Sequence, residues 1–151
     1  MTRIYSICVS LLLLAGAAFA VQAEQARTFG DYTVHYNAFT TNMLSPEIAK
    51  LYNIARSNNR ALLNISILKK AVGAMSKPVR ARVNATATNM NAQLQKLAVR
   101  ELVESGEPGA IYYLAETSVN NGDVLTYEVS FTPEGEEQTY SFSFKQEFYN
   151  D

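Results

Sequence analysis

Cysteine and histidine are nearly missing from this sequence. Its 151 residues include one cysteine, Cys8, one histidine, His35, and no tryptophan. Because Cys8 lies in an N-terminal segment that we expect to be removed, the remaining chain has no thiol. Disulfide bonds and thiolate metal sites are therefore excluded, and the folded protein must depend on its hydrophobic core for stability.

The same scarcity argues against a metal site. With one histidine, a zinc or copper site would need help from carboxylate or methionine ligands. His35 could combine with Met43, Met75 or Met90, but these methionines have no paired spacing. We therefore predict no metal and no cofactor, and we expect His35 to be a surface residue of a strand.

Motifs of the common catalytic classes are also absent. The sequence has no G-x-S-x-G nucleophile elbow, no phosphate loop and no dinucleotide fingerprint. A catalytic triad would have to use His35 as its base. Four glutamates that lie close in sequence could pair for acid–base chemistry, but such clusters are usually solvated: Glu101, Glu104, Glu107 and Glu116. We predict no catalytic residue.

The N-terminus has the layout of a secretory signal peptide. Arg3 precedes an apolar run over residues 7–19, and small residues follow it. Such a run has the length of a leader, about 7 to 15 residues, and is shorter than a membrane anchor of about 20 residues. We predict a cleaved signal peptide over residues 1–23, with Ala20 as the alternative cleavage position and an uncleaved anchor as the alternative role. Residues 24–151 then form a single domain.

The C-terminal end shows the clearest strand pattern. Pro133 and Gly135 suit a tight turn, and apolar residues occupy alternate positions on both sides of it. The pattern predicts a hairpin over residues 124–148 with one apolar face, which must be buried against a second sheet. That face consists of Leu125, Tyr127, Val129, Phe131, Tyr140, Phe142, Phe144 and Phe148.

Alternation of apolar and polar residues recurs upstream. It predicts further strands over residues 29–41, 61–69, 79–89 and 110–119. Between the first two, Ser45 and Pro46 are typical of a helix start, because serine caps the free amides and proline suits the first helical position. We expect a short helix of about two turns there, through Tyr52.

The remaining stretches are connections or ambiguous. Residues 72–78 are predicted as a connection, since Gly73 and Pro78 interrupt the pattern. Asn120–Asp123 is predicted as a hairpin turn. Residues 92–104 fit both a helix and a strand, and we favour a strand because the neighbouring segments are strands.

These elements predict an all-β fold. Six or seven strands with one short helix after the first strand, and no βαβ unit, favour an antiparallel two-sheet sandwich that is immunoglobulin-like in general form. An eight-stranded closed barrel that holds a ligand is the alternative.

Charge is divided along the chain. Residues 24–100 contain eleven Lys and Arg against three Asp and Glu, whereas residues 101–151 contain one against eleven. In one domain we expect the two halves to lie side by side as strands, where their charges can pair across the sheet and the faces are solvated. The alternative is a basic surface for an anionic partner. Export and the net acidity of the chain argue against a nucleic-acid partner.

The most unusual polar stretch is residues 56–60, where Arg56 and Arg60 flank Ser-Asn-Asn. Two arginines can hold a carboxylate or phosphate by paired hydrogen bonds. One hypothesis is therefore a small anionic or peptide-ligand site formed by His35, Asn37, Arg56, Asn58 and Arg60. The alternative is structural: both arginines pair with the acidic C-terminal strands and cap the end of the helix.

Three stretches resemble one family of exported Gram-negative bacterial proteins. They are YTVHYNAF at residues 32–39, LSPEIAKLYNIARSNNRALLNISI at residues 44–67 and GDVLTYEVSF at residues 122–131. The family is known as a domain of unknown function, number 4426. The resemblance covers nearly all of the chain after the leader and implies a one-domain periplasmic protein. It implies no activity, so no functional residue is carried over from it.

Taken together, the residues favour a non-catalytic periplasmic module that binds an unknown envelope protein or peptide. Sandwich loops or an exposed strand edge would provide the binding surface. Two other classes stay open: a carrier of a small apolar ligand in a barrel-like cavity, and a divergent hydrolase. We expect no stable membrane anchor once the leader is removed.

Overall fold

A computed structural model of the protein describes residues 25–107 and 109–149. Within these ranges the chain forms ten strands, one short α-helix (α1) and one 3-10 turn over Thr41–Met43. Their bounds are β1 Gln25–Phe29, β2 Tyr32–Thr40, α1 Pro46–Leu51, β3 Arg60–Ala71, β4 Ala74–Pro78, β5 Ala81–Thr88, β6 Leu94–Lys96, β7 Arg100–Glu104, β8 Ala110–Ser118, β9 Val124–Pro133 and β10 Tyr140–Glu147.

The strands form two antiparallel sheets. Sheet A has the order β1-β2-β3-β8-β7, with β4 also paired to β3, and sheet B has the order β10-β9-β5-β6. The predicted all-β, two-sheet antiparallel sandwich with one short helix is therefore confirmed. The predicted leader over residues 1–23 lies outside the described residues. Among the described residues, no helix is both long and apolar enough to cross a membrane.

The core lies between the two sheets and is rich in aromatic rings. The apolar positions of the C-terminal hairpin face inward as predicted, and Tyr127 and Phe131 are completely buried. From sheet A, Tyr36 meets Phe142 and Phe144 with ring centroids 4.7 and 4.6 Å apart. Each such ring removes about 150 to 250 Å² from water, which is how a chain without disulfides is held together.

Helix α1 begins where the sequence indicates. The Ser45 hydroxyl accepts a hydrogen bond from the Ile48 amide at 3.2 Å, and Pro46 occupies the first turn. The helix ends at Leu51, one residue before the predicted end at Tyr52. Its six residues are too few to be stable alone, so α1 depends on packing against the outer face of sheet A.

Two predicted boundaries differ from the structure. The first predicted strand, residues 29–41, is divided by a turn at Gly30, and β1 pairs with β2 as a hairpin. The prediction that residues 72–78 are only a connection is wrong, because β4 pairs with the end of β3. Gly73 forms the turn between them with a φ of +67°.

The prediction of a hairpin turn at Asn120–Asp123 is also wrong. β8 pairs with β3 and β7, whereas β9 pairs with β5 and β10, so this turn carries the chain from sheet A to sheet B. The Asp123 carboxylate accepts a 2.7 Å hydrogen bond from the Asn120 amide and closes the turn.

The preference for a strand over residues 92–104 is confirmed, but the segment forms two strands on different sheets. β6 pairs with β5 in sheet B, and β7 pairs with β8 in sheet A. Leu97 lies between them and is buried in the core. The helix-like spacing of this stretch reflects the crossing, because residues on either side of Leu97 face different layers.

The predicted pairing of the basic and acidic halves is observed in part. Each of three ion pairs joins a residue of the basic half to one of the acidic half, but of these three only Arg60–Glu116 lies across two paired strands of a sheet. They are Arg60–Glu116 at 2.9 Å, Lys69–Glu136 at 3.5 Å and Arg80–Glu101 at 3.5 Å. The uneven charge distribution of the sequence therefore becomes local pairing in the fold.

Candidate functional site

The two arginines of the predicted site have separate partners. Arg56 donates a 2.8 Å hydrogen bond from Nη2 to the Asn42 carbonyl, and Arg60 pairs with the Glu116 carboxylate on β8. Hydrogen bonds from its own backbone amide and from Ser45 lower the pKa of the Glu47 carboxyl, and the charge of Arg56 adds a smaller lowering. In this structure the two guanidinium groups do not converge on one point.

The other predicted residues are divided between a strand and a loop. His35 and Asn37 lie on the outward side of β2, where they stand directly opposite Ser66 and Asn64 of β3. Asn58 lies in the loop from α1 to β3. The structure therefore brings His35 and Asn37 together on sheet A and adds Asn64, which is not part of the predicted site.

Next to these residues is an apolar groove between α1 and the outer face of sheet A, called here the α1 groove. Its volume is about 230 Å³. α1 and the residues that flank it form one wall, and strands β3, β7 and β8 form the floor. The lining residues are Leu44, Ile48, Tyr52, Ile54, Leu62, Asn64, Leu102, Glu104, Tyr112 and Leu114.

The floor of the α1 groove exists because β3 and β8 are apolar on both faces. Leu62 and Leu114 point away from the main core, yet they are only 3% and 4% exposed. Together with Ile54 they form a second hydrophobic cluster that is separate from the main core. In the sequence, the consecutive run Ala61-Leu62-Leu63 carries this signal, because strict alternation would place a polar residue at position 62.

One end of the α1 groove is polar and incompletely hydrogen-bonded. Asn64 lines the groove and Asn37 stands opposite it in the sheet. The side-chain oxygens of both are buried and accept no hydrogen bond. A buried acceptor without a donor costs about 1 to 3 kcal/mol, so the Asn64 amide, which lines the groove, is suited to receive a donor from a ligand, and Asn37 lies directly behind it in the sheet.

The rim of the α1 groove is held by a small polar network. The Tyr52 hydroxyl donates a hydrogen bond to the Glu104 carboxylate, which links the end of α1 to β7. Arg100 donates a 2.6 Å hydrogen bond from Nη2 to the Tyr52 carbonyl. These contacts fix the wall of the groove relative to its floor.

A second depression lies on the outer face of sheet B. It measures about 460 Å³, and small polar side chains of β5, β9 and β10 form most of its lining. These include Asn84, Thr86, Glu128, Ser130, Ser141 and Ser143. It is larger than the α1 groove but lacks a cluster of apolar residues, and apolar contact provides most of the affinity in ordinary ligand sites. We therefore take the α1 groove as the candidate site.

Metal chemistry finds no support in the described part of the chain. Over residues 25–107 and 109–149, no group of three or more His, Cys, Asp or Glu residues could hold an ion. Four of the glutamates contact arginine, lysine or tyrosine instead: Glu101, Glu104, Glu116 and Glu136.

Comparison with known proteins gives a family and a fold. The sequence model described as “Domain of unknown function (DUF4426)” matches residues 26–151. A crystal structure of a DUF4426 family protein from Pseudomonas aeruginosa is 31% identical, with a TM-score of 0.72 over 87% of this chain and 98% of that chain. FetP from uropathogenic E. coli strain F11 is 9% identical, with a TM-score of 0.57 over 84% of this chain and 94% of that chain. At 9% identity, the similarity to FetP concerns the fold alone. No curated protein matches the chain.

Proposed function

Because this chain belongs to the DUF4426 family, whose description assigns no activity, we propose a function from the geometry of its own residues. The protein is a non-catalytic binding module of the bacterial periplasm. It recognises a short segment of an envelope protein or peptide in the α1 groove.

The observation that carries this proposal is the pairing of an apolar groove with unsatisfied acceptors. Leu62, Leu102 and Leu114 offer aliphatic contact, and the oxygens of Asn37 and Asn64 lack donors. A peptide provides both complements in one segment, because its side chains are apolar or polar in turn and its backbone amides donate. An anion would be a poorer ligand, since Glu104 lies on the rim.

The size of the α1 groove also favours a peptide segment over an enclosed small molecule. Small-molecule sites usually measure about 300 to 1,000 Å³, and this groove measures about 230 Å³. It has room for one or two side chains of a partner that continues outside it. That geometry supports recognition of a segment and gives less support to a carrier of a whole apolar ligand.

Photo-crosslinking tests the proposed surface directly. A photoreactive phenylalanine analogue is placed at Ile48, on the groove wall, or at Leu94 of β6, an exposed apolar position outside the groove. We expect a discrete adduct with an envelope protein or peptide from position 48 and none from position 94. The adduct should disappear when Asn64→Leu is added. Equal labelling from both positions, or an adduct that is unaffected by Asn64→Leu, would contradict the proposal.

The proposed location has its own test. Support for it comes from the predicted leader over residues 1–23 and from the family resemblance. We expect the protein in the periplasmic fraction after osmotic shock, with a mature N-terminus at Glu24 when the purified protein is analysed by mass spectrometry. Recovery in the cytoplasmic fraction with the leader intact would contradict export and leave the groove experiment unaffected.

A further inference from the structure

The hairpin formed by the end of β3 and by β4 has an exposed apolar tip. Val72 is 104% exposed and Met75 is 74% exposed, so all of the Val72 surface and most of the Met75 surface is open to solvent. β4 pairs only with β3 among the described strands. We call residues 69–77 the β3–β4 tip. Isolated exposed apolar residues are common, but two that flank one turn form a patch that calls for an explanation.

Lysines surround this tip and acidic residues are missing from its part of the sequence. Lys69 and Lys70 precede the turn and Lys77 follows it, and all three are exposed. No Asp or Glu occurs over residues 48–100. Lys69 is partly neutralised, because its ammonium lies 3.5 Å from a Glu136 carboxylate oxygen and over the Tyr32 ring. Lys70 and Lys77 supply the remaining positive charge next to Val72 and Met75.

We propose that the β3–β4 tip docks on a lipid bilayer that contains anionic headgroups. Val72 and Met75 enter the boundary between headgroups and acyl chains, while the lysine stems lie along that boundary and their ammonium groups meet the phosphates. Asp31 lies beside the base of the tip, where its carbonyl accepts a hydrogen bond from the Lys70 amide. The combination of an exposed apolar tip with three lysines against these two acidic neighbours, Asp31 and Glu136, fits a soft anionic surface. A protein partner would need a cavity shaped to receive the tip, and a solvated loop would not need the two apolar residues.

This inference goes beyond the groove and is independent of it. Residue 62, in the α1 groove, and residue 71, in the β3–β4 tip, are nine positions apart on β3, which is about 30 Å at the rise of a strand. A protein docked through the tip would therefore keep the α1 groove away from the lipid surface and accessible to a partner.

Vesicle co-sedimentation tests the proposal with the protein purified from expression of the full chain. The probes are vesicles of phosphatidylcholine alone and vesicles of phosphatidylcholine and phosphatidylglycerol in equal parts. We expect at least tenfold tighter binding to the anionic vesicles, which falls when sodium chloride is raised from about 0.1 M to about 0.5 M, since salt screens surface charge. Equal binding to both vesicles, no binding, or binding that is insensitive to salt would each overturn the proposal.

Two matched pairs of variants locate the contact. Met75→Ser is compared with Met90→Ser, because Met90 is 75% exposed but lies in the β5–β6 turn. Lys77→Gln is compared with Lys96→Gln of β6. We expect Met75→Ser to weaken binding at least fivefold and Lys77→Gln about fivefold, which corresponds to one lysine near an anionic surface. Met90→Ser and Lys96→Gln should bind like the unaltered protein.

The outcomes of these comparisons separate lipid from other partners. If each tip variant and its control lost the same amount of vesicle binding, the tip would not be the contact, and the proposal would be overturned. Capture by polyglutamate-coated beads as strong as that by anionic vesicles, with Met75→Ser unaffected, would indicate an acidic protein partner and would also overturn it. An unchanged thermal midpoint in all four variants confirms that the losses do not arise from unfolding.

Discussion

The outer faces of the two sheets differ in which residue types occupy the outward positions of their strands. On sheet B, the outward residues of β5, β9 and β10 around the depression are small and polar, as alternation requires for a strand with one face in water. On sheet A, the outward positions of β3 and β8 include Leu62 and Leu114, which are buried by α1 and the loop that follows it. One face is therefore solvated, and the other forms a second apolar layer with a groove.

This difference between the outer faces shows where to look for a binding site in an all-β protein whose sequence has no catalytic or ligand-binding motif. An outward apolar residue has to be covered, and α1 covers the floor of sheet A incompletely, which leaves the α1 groove. The buried oxygens of Asn37 and Asn64 lie at the edge of that covered region. Departures from alternation thus identify the candidate site. The face of sheet B also has a buried hydroxyl without a partner, that of Thr86, but it keeps the regular alternation and has no apolar cluster beside that hydroxyl.

The largest expected effect separates the two faces by stability. Leu62→Ala removes a side chain that is almost fully buried under α1 and should lower the free energy of unfolding by about 2 to 5 kcal/mol. Ser130→Ala on the outer face of sheet B should change it by less than about 0.5 kcal/mol. Urea unfolding followed by circular dichroism measures both. Similar small changes would mean that the second apolar layer contributes no stability and that the contrast between the faces is only geometric.

The inward tyrosines sharpen the comparison between the sheets. Tyr113 of sheet A accepts a 2.7 Å hydrogen bond from the Ala81 amide and contacts Glu101, whereas the Tyr127 hydroxyl of sheet B is buried without a partner. Tyr127→Phe should therefore stabilise the protein by about 1 to 3 kcal/mol, and Tyr113→Phe should destabilise it by a similar amount. Both are read from urea midpoints at pH 7. A loss of stability in Tyr127→Phe would contradict the assignment of an unsatisfied hydroxyl.

Alkaline pH provides a related test on Tyr127. Burial raises the pKa of Tyr127 well above its ordinary value of 10.0. The unfolded chain therefore loses this proton first, and the stability that depends on the neutral hydroxyl is complete below pH 10 and declines as pH rises above it. Each such group contributes a slope of about 1.4 kcal/mol per pH unit. Urea titrations above pH 10 measure how steeply the free energy of unfolding falls with pH. That slope should be smaller by about 1.4 kcal/mol per pH unit in Tyr127→Phe, and an unchanged slope would contradict the prediction.

Most of the fold could be predicted from the sequence because its signals are local. The alternation from Leu125 to Phe148 and the Ser45-Pro46 helix start each depend on residues near in sequence, and both are confirmed. The prediction of a hairpin at Asn120–Asp123 is wrong, because the same residue types form turns between paired strands and turns between strands of different sheets. Partner choice depends on packing between distant strands, which turn chemistry does not specify.

The candidate site was harder to predict for the same reason. His35 faces outward as predicted, and Asn37 lies on the same side of β2, but their neighbours depend on the register between β2 and β3, which sets Asn37 opposite Asn64. The arginines were grouped because they are close in sequence, yet the fold gives Arg56 and Arg60 separate partners. The available sequence signal was the apolar residue at position 62, where alternation called for a polar one.

Replacing the unsatisfied amide tests the link between stability and binding on sheet A. Asn64→Leu removes a buried oxygen without a donor and extends the apolar floor, so it should stabilise the protein by about 1 kcal/mol. The same change should weaken binding of the proposed ligand in the α1 groove, because proteins often hold binding groups at a cost in stability. Asn84→Leu on the outer face of sheet B is the matched control and should leave both the thermal midpoint and the crosslink from position 48 unchanged. Destabilisation by Asn64→Leu would mean that its side chain has a structural role.

The smallest expected effect concerns the ion pair on the outer face of sheet A. Arg60 and Glu116 lie 2.9 Å apart, but their side chains are 49% and 26% exposed, so water and salt screen the attraction. A double-mutant cycle with Arg60→Met and Glu116→Gln should give a coupling of about 0.2 to 1 kcal/mol, which decreases when sodium chloride is raised to about 0.5 M. A coupling well above that range would mean that the charges are a structural anchor of the α1–β3 loop. In that case Arg60 could not be released to meet a ligand, and only the apolar floor and the two amides of the α1 groove would be left for recognition.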